Sequence, residues 1–230
     1  MIIQGIKLTG TTVITPNDPT PVLYYDPSNI SSYSGSGTTI NDLSGNGLTG
    51  TMSDITYTSP YFSYNGTSSR ISVPDNALLE PGTGNFTIEA WVYVTSVSGF
   101  RGIISKTNAG GGQTSYRIFI NGTNVSSTMG DNAVNSTSYS LSNNTWSHVV
   151  YVFTNGSSLE TFINGDSVNS ISCGTITVPN STAPLYIGGE TSAGSRWFNG
   201  RIGIVRLYNI ALSSTDVLAN YNGSKAIYGL

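Results

Sequence analysis

Three strand-like segments with their connecting turns lie in the middle of the chain and constrain its fold more than any other feature. Trp146–Phe153 is rich in β-branched and aromatic residues and is followed by Asn155-Gly156. Leu159–Ile163 and Ser167–Ile171 then flank a second such pair, Asn164-Gly165. Asn-Gly is preferred in two-residue hairpins, because both central residues take positive φ. We therefore predict an antiparallel meander, beside which the neighbouring segments must find their places.

The most regular alternation of apolar and polar residues covers Phe86–Val94. One set consists of Phe86, Ile88, Ala90, Val92 and Val94, and the other of Thr87, Glu89, Trp91 and Tyr93. Successive side chains of a strand point to opposite faces, so the first set is predicted to lie between two sheets. The second set is predicted to face either a concave outer surface or a covering loop.

The remaining segments favour an all-β protein. Short strands are predicted at Val22–Tyr25, Pro60–Tyr64, Arg70–Val73, Gly102–Lys106, Tyr116–Ile120, Pro184–Gly188 and Arg201–Tyr208. Asn65-Gly66 predicts a turn between the second and third of these strands, looser than a two-residue hairpin. One helical turn is expected within Asp75–Glu80, and Ser213 with Asp216 forms the capping signature of a short C-terminal helix.

Several motifs in the same order resemble the laminin-G-like, concanavalin-A-like jelly-roll family. They are Leu43-Ser-Gly45-Asn-Gly47, Tyr64-Asn-Gly66-Thr, Phe86-Thr-Ile-Glu-Ala90-Trp91-Val, Trp146-Ser-His148-Val-Val, Phe162-Ile-Asn164-Gly165, Pro184-Leu-Tyr186-Ile-Gly188-Gly and Phe198-Asn-Gly200-Arg-Ile202-Gly-Ile-Val-Arg206-Leu-Tyr208. The resemblance covers nearly the whole chain from Pro21 to Asn222. It implies a two-sheet antiparallel β-sandwich with adhesive or glycan-binding roles, but a fold does not supply a function by itself.

The composition is that of an exterior protein. Only 9% of residues are charged and the net charge is −3, so the surface is covered mainly by uncharged hydrogen-bonding side chains. Nucleic acid and anionic membrane are not expected partners. The lone cysteine, Cys173, excludes an intrachain disulfide, and we expect it to be a small buried apolar residue rather than a reactive thiol.

Residues 1–20 lie outside the resemblance and are predicted to form an N-terminal arm, with residues 21–230 as a single jelly-roll domain. Ile2, Ile3, Ile6 and Leu8 give the arm a weak strand-like pattern. We expect it to be held either against another subunit or as an edge strand of its own domain. The segment lacks the pattern of a secretory signal, and no stretch reaches membrane-spanning length.

Glycosidases share this fold, so catalysis has to be considered. Their chemistry needs two carboxylates at a fixed separation, and the related glucanases place these acids at alternate positions of one strand. Glu89 has Thr87 and Trp91 at the alternate positions, which favours a structural, hydrogen-bonded role for this acid. His148 is the only histidine and is expected to be a packed strand residue. We therefore predict that the protein is not an enzyme.

Laminin-G-like domains often bind calcium, which requires six to eight oxygen ligands. Where the family often carries acids, this chain has Asn65, Ser68 and Ser69, and also Gly203 and Ile204. Asp26 and Asp131 remain as scattered acids. We expect no metal and no other cofactor.

A sugar site combines an exposed aromatic ring with amide, hydroxyl or guanidinium donors. Two loops can supply these groups: one contains Phe100 and Arg101, and the other contains Arg196 and Trp197. If Phe198 packs inward, Trp197 faces outward. The alternatives for Trp197 are a cap on the core or a contact with another subunit, and the outward face of Phe86–Val94 is the second candidate surface.

Two functions fit these observations. The first is a viral or phage structural protein, a capsid decoration or appendage subunit, displayed on the virion surface and anchored through the arm to virion proteins or to a sister subunit. The alternative is a carbohydrate-binding adhesin, associated with a tail or a cell surface, that recognises host glycans. The two are compatible, and a glycosidase relic that retains only substrate binding is a third, weaker hypothesis.

Overall fold

The computed structural model describes residues 19–95, 99–107, 114–190 and 196–230. Within them the chain forms seventeen strands, two 3₁₀ turns and one α-helix. The first eight strands are β1 Leu23–Tyr25, β2 Thr39–Ile40, β3 Gly50–Ser53, β4 Thr56–Thr58, β5 Tyr61–Asn65, β6 Arg70–Val73, β7 Phe86–Val94 and β8 Phe100–Thr107. They are followed by β9 Thr114–Asn121, β10 Asn124–Met129, β11 Val134–Asn135, β12 Tyr139–Ser140, β13 Trp146–Thr154, β14 Ser158–Ile163, β15 Asp166–Ser172, β16 Leu185–Ile187 and β17 Asn199–Tyr208. The 3₁₀ turns are Ala77–Leu79 and Lys225–Tyr228, and helix α1 is Ser214–Ser224.

The strands form two antiparallel sheets that pack as a sandwich, which confirms the predicted fold class. The eight-stranded sheet has the order β15-β14-β13-β7-β17-β5-β4, with β1 also paired to β17. The nine-stranded sheet has the order β11-β10-β9-β8-β16-β6-β3-β2, with β12 also paired to β10. Both counts refer to the part of the chain described above.

The predicted meander is present as β13, β14 and β15, all antiparallel. Ile163 pairs with Asp166, so Asn164 and Gly165 form a two-residue turn. Their φ angles are 54° and 88°, as the Asn-Gly pair predicts. The meander lies at one side of the eight-stranded sheet and places β13 next to the long strand β7.

Strand β7 has the predicted bounds and the predicted alternation. Its apolar set is at most 1% exposed and belongs to the core between the sheets. Burying each large apolar side chain of this kind contributes about 1.5–3 kcal/mol to the stability of the fold. The opposite set is covered as well, because Thr87, Glu89 and Trp91 are fully buried.

The turn after Asn65 joins the two sheets, and the two strands beside it are not partners. Strand β5 pairs with β4 and β17 in one sheet, whereas β6 pairs with β3 and β16 in the other. The Asn65 Oδ1 atom accepts hydrogen bonds from the backbone N–H groups of Thr67, Ser68 and Ser69. This side chain therefore stabilises the turn in which the chain crosses the sandwich.

The C-terminal segment forms the cover over β7. Ser213 and Asp216 form the predicted reciprocal cap at the start of α1. After the helix, the Tyr228 ring stacks on Trp91 with centroids 4.4 Å apart, and its hydroxyl accepts a hydrogen bond from the Ile204 backbone N–H at 2.8 Å. A Cβ atom at Gly203 would lie 2.1 Å from the Tyr228 hydroxyl oxygen, so this close approach requires glycine.

The four arm residues Ile2, Ile3, Ile6 and Leu8 lie outside the described residues, and the predicted arm stays a prediction. Cys173 is partly buried and packs against the main core. Across the described ranges, no helix is long and apolar enough to cross a membrane.

Candidate functional site

A polar groove of about 270 Å³ lies along β9, β10 and the segment that follows them in the nine-stranded sheet. We call it the serine groove. It is lined by Phe100, Phe119, Asn121, Asn124, Ser126, Ser127, Thr128, Asn135, Ser136 and Ser138. Two residues of the lining are aromatic and eight have hydroxyl or amide side chains, and none of the lining residues carries a formal charge.

The alternation of β9 and β10 produces this lining. Ile118, Ile120 and Val125 are fully buried in the core, so the residues between them face away from it. Phe119 pairs with Ser126 across the two strands, and Asn121 pairs with Asn124 beside the connecting turn. An apolar inner face therefore fixes a polar and aromatic outer face.

The hydroxyl groups of the serine groove differ in their hydrogen bonding. The Ser126 and Ser138 hydroxyls hydrogen-bond to each other at 2.9 Å, and the Ser136 hydroxyl accepts from the Ser127 backbone N–H at 2.8 Å. The hydroxyl oxygen of Thr128, on the same outer face as Ser126, is buried and has no hydrogen-bond partner within the described structure. Ser127 pairs with Ile118, so its side chain belongs to the inner face of the sheet. Buried polar groups are nearly always satisfied, so the Thr128 hydroxyl is a group that a hydrogen-bonding ligand could engage.

Two phenylalanine rings form the apolar part of the serine groove. Phe100 lies at the start of β8, opposite Asn121, and is 45% exposed. Its ring centroid is 5.3 Å from that of Phe119. Phe119 is half-buried, so the exposed face of the pair is mainly that of Phe100. An accessible ring next to hydroxyl and amide groups is the arrangement that a pyranose requires, because a pyranose has apolar faces and polar edges.

A buried acid and two arginines support these rings. Glu190 is fully buried, and its Oε1 atom lies 2.9 Å from Arg117 Nη1 and 3.4 Å from Arg196 Nη1. The guanidinium carbons lie 5.2 Å from the Phe119 ring centroid for Arg117 and 5.5 Å from that of Phe100 for Arg196. One buried carboxylate thus bridges two guanidinium groups, and the arginines hold the rings in position by cation–π contacts.

The four sequence-predicted sugar residues are divided between two places. Phe100 and Arg101, predicted in a loop, begin strand β8 instead. Phe100 lines the serine groove and Arg196 contacts the Phe100 ring, and a hydrogen bond of 2.9 Å from the Gly102 N–H to the Arg196 carbonyl joins β8 to the Arg196 segment. Arg101 donates to the carbonyl of Phe100 and does not line the groove. Trp197 is half-buried and lies 5.3 Å from the Arg70 guanidinium, while Phe198 packs in the core as predicted.

Sequence reasoning missed most of the lining. The residues from β10 and from positions 135–138 are serine, threonine and asparagine, which are abundant throughout this chain and give no local signal. One signal for the groove was available in the sequence. Apolar residues alternate with polar ones within 116–129, and this alternation places the residues between the apolar ones on the outer face of the sheet.

The second candidate surface, on β7, is a closed polar network. The Glu89 carboxylate contacts Arg206 at 2.6 Å, His148 at 3.0 Å and the Asn220 amide of α1 at 2.7 Å. Burial by itself would raise the pKa of Glu89, but Arg206 and the hydrogen bonds of His148 and Asn220 outweigh it and lower that pKa to about 2. Glu89 is thus an ionised, hydrogen-bonded structural acid, and His148 is a packed strand residue, as expected for both.

The possible calcium ligands lie in different parts of the sandwich. Asp26 follows β1, and its Oδ1 atom accepts hydrogen bonds from the Ser28 N–H and hydroxyl. Asp131 lies in the turn between β10 and β11 with a φ of 55°. Over the described ranges, no group of three or more His, Cys, Asp or Glu side chains is arranged to hold a metal ion.

The fold and the groove define a lectin-like β-sandwich. The chain belongs to the concanavalin A-like lectin/glucanases superfamily, whose sequence model matches residues 65–218. This confirms the resemblance found in the sequence. No curated protein sequence matches the chain.

Solved structures of the same fold include binding domains and an enzyme. The binding domain of botulinum neurotoxin DC in complex with SialylT is 15% identical, with a TM-score of 0.66 over 90% of this chain and 52% of that one. Trypanosoma rangeli sialidase in complex with sialic acid is 17% identical, with a TM-score of 0.69 over 89% of this chain and 33% of that one. The binding domain of Paraclostridial Mosquitocidal Protein 1 is 21% identical, with a TM-score of 0.65 over 89% and 52%. The chain therefore spans about half the length of these toxin domains and a third of the sialidase.

Proposed function

We propose that the protein is a non-catalytic carbohydrate-binding protein and that its ligand is a neutral glycan held in the serine groove. The observation that carries the proposal is the Phe100–Phe119 pair beside hydroxyl and amide groups that line one continuous surface. The rings offer C–H stacking, and the polar side chains offer hydrogen bonds to sugar hydroxyls.

A neutral ligand is favoured by the charges around the groove. Arg117 and Arg196 are both engaged by the buried Glu190 carboxylate and by aromatic rings. Binding an acidic sugar would require these guanidinium groups to exchange a desolvated partner for the ligand, which costs free energy. The uncharged lining and the engaged arginines together favour a neutral glycan over an acidic one.

Binding without catalysis is supported by the environment of Glu89. The groups that contact its carboxylate are Arg206, His148, Asn220 and Tyr208, none of which is an acid. A glycosidase needs a second carboxyl group about 5–9.5 Å away across an open substrate site, whereas Glu89 is fully buried beneath the C-terminal segment. The toxin binding domains of the same fold also agree with a binding role.

Display on a virion surface is a compatible second proposal. It is supported by the low charge content, which suits an exterior protein. The proposed anchor is the arm with Ile2, Ile3, Ile6 and Leu8, and its proposed partners are virion proteins or a sister copy of this chain. A virion protein with a glycan-binding groove would combine both proposals.

Glycan-array binding with matched variants tests the carbohydrate proposal. Phe100→Ala removes a ring that is 45% exposed, while Ile210→Ala shortens a side chain that is 47% exposed and lies outside the groove. We expect the wild type and Ile210→Ala to bind the same glycans and Phe100→Ala to lose about tenfold in affinity, since one stacked ring contributes about 1 kcal/mol or more. Equal binding by all three proteins, or binding by none, would refute the proposal.

A further inference from the structure

A second groove of about 240 Å³ lies at the end of the sandwich, where the chain passes from one sheet to the other. We call it the end groove. Its lining comprises Tyr139, Ser140, Leu141, Ser142, Thr145, Trp146, Ser147, Ile163, Asn164 and Leu230. Like the serine groove, it combines aromatic rings with hydroxyl and amide groups and has no charged side chain in its lining.

The polar groups of the end groove are held by the surrounding structure. Asn164 Oδ1 accepts a hydrogen bond from the His148 backbone N–H at 2.9 Å. This fixes the amide and leaves its Nδ2 atom as a donor without a partner in the part of the chain that the structure describes. The Trp146 ring is fixed by Tyr228, with centroids 4.5 Å apart, and Tyr139 is 36% exposed.

The two grooves adjoin. Asn124 lines the serine groove and Ser140 lines the end groove, and these residues are direct cross-strand partners of β10 and β12. Cross-strand partners have Cβ atoms about 5 Å apart. The Ser140 hydroxyl also hydrogen-bonds to the Thr123 hydroxyl at 3.0 Å, in the turn before Asn124. A single residue pair therefore separates the two polar surfaces.

The adjoining positions of the two grooves, taken with their sizes, favour one shared ligand. Small-molecule sites generally enclose about 300–1,000 Å³, and each groove alone lies below this range. Together they fall within it. We infer that a linear, neutral oligosaccharide occupies both grooves and passes over the Asn124–Ser140 pair, so that Phe100 and Phe119 bind one part of the glycan and the exposed Tyr139 ring binds another.

This inference rests on the proposed function and adds the ligand class: a linear glycan several units long rather than a terminal monosaccharide. It predicts that affinity rises with chain length until both grooves are filled. It also predicts that substitutions in the end groove weaken only the binding of the longer chains.

The test uses ladders of linear glucose, mannose and N-acetylglucosamine oligosaccharides, from mono- to hexasaccharide, titrated calorimetrically against the full chain. Tyr139→Ala removes the exposed ring of the end groove, and Ser142→Trp fills that groove from an exposed position. Circular dichroism and thermal melting establish that each variant is folded, and Ile210→Ala is the control outside both grooves.

We expect both variants to lower affinity for the longest chains about five- to tenfold and to leave the shortest bound oligomer unchanged. Phe100→Ala lowers affinity at every length. Phe100-dependent binding that is independent of chain length, or of the end-groove variants, would overturn this inference and leave the proposed function standing. Absence of Phe100-dependent binding at every length would overturn both.

Discussion

Glu89 illustrates at the scale of one residue how this chain places a charge in its interior. Its carboxylate is fully buried, and one oxygen contacts both Arg206 and His148 while the other accepts from Asn220. Breaking a buried pair costs more than the pair contributes, because it leaves the other charge unpaired in a desolvated site. The sequence predicted a hydrogen-bonded role for Glu89, but its partners come from positions up to 131 residues away and could not be read from local pattern.

This network predicts an acid-dependent stability. The folded-state pKa of Glu89 is about 2, below its ordinary value of 4.5. A lowered pKa contributes stability that is present above pH 4.5 and is lost as the pH falls toward 2. The Glu89 contribution is about 3 kcal/mol. Urea unfolding of the wild type should therefore show a falling free energy of unfolding across this interval.

Glu89→Gln should remove the part of the fall in the free energy of unfolding, between pH 4.5 and 2, that comes from protonation of Glu89. It should also lower the free energy of unfolding near neutral pH by about 3 kcal/mol, because Arg206 then loses its anionic partner. The same pH slope in the variant and the wild type between pH 4.5 and 2 would contradict this account of the network.

At the scale of elements, the C-terminal segment is a cover that the sequence predicts only in part. Ser213 and Asp216 identify the helix, because a capping box is a local signal. Its docking surface is not local: Trp91 donates from Nε1 to the Ser224 hydroxyl at 2.9 Å and stacks on Tyr228. The same distinction explains the turn at Asn65, where local chemistry predicts the turn but not the change of sheet.

Two glycine substitutions test the docking of this segment. Gly203→Ala places a methyl group about 2.1 Å from the Tyr228 hydroxyl oxygen, so Tyr228 must move away from Trp91. We expect a loss of about 1–3 kcal/mol in the free energy of unfolding, with a change in tryptophan fluorescence.

Gly223→Ala is the matched control, because a Cβ atom at this position of α1 meets no atom within 4 Å. It should raise the free energy of unfolding by about 0.5–1 kcal/mol, since alanine favours a helix over glycine. Equal stability of the two variants in denaturant titrations would show that the Tyr228 contact does not hold the segment in place.

At the scale of the whole molecule, the two sheets pack through their apolar inner faces, and their outer faces differ. The eight-stranded sheet is covered in part by α1 and the 3₁₀ turn that follows it, whereas the nine-stranded sheet carries the serine groove. The fold class and the main strands were predictable, because alternation and Asn-Gly turns are local. The groove was not, because its lining comes from β8, β9, β10 and positions 135–138, which only the sheet order brings together.

Mapping the bound glycan by NMR tests the central claim, that the serine groove binds carbohydrate, most directly. Amide chemical shifts of the full chain are recorded while the best-binding oligosaccharide of the array is added. The largest shifts are expected at Phe119, Asn121, Asn124, Ser126 and Asn135. Shifts centred instead on Arg70 and Trp197, or on the C-terminal segment, would contradict the account.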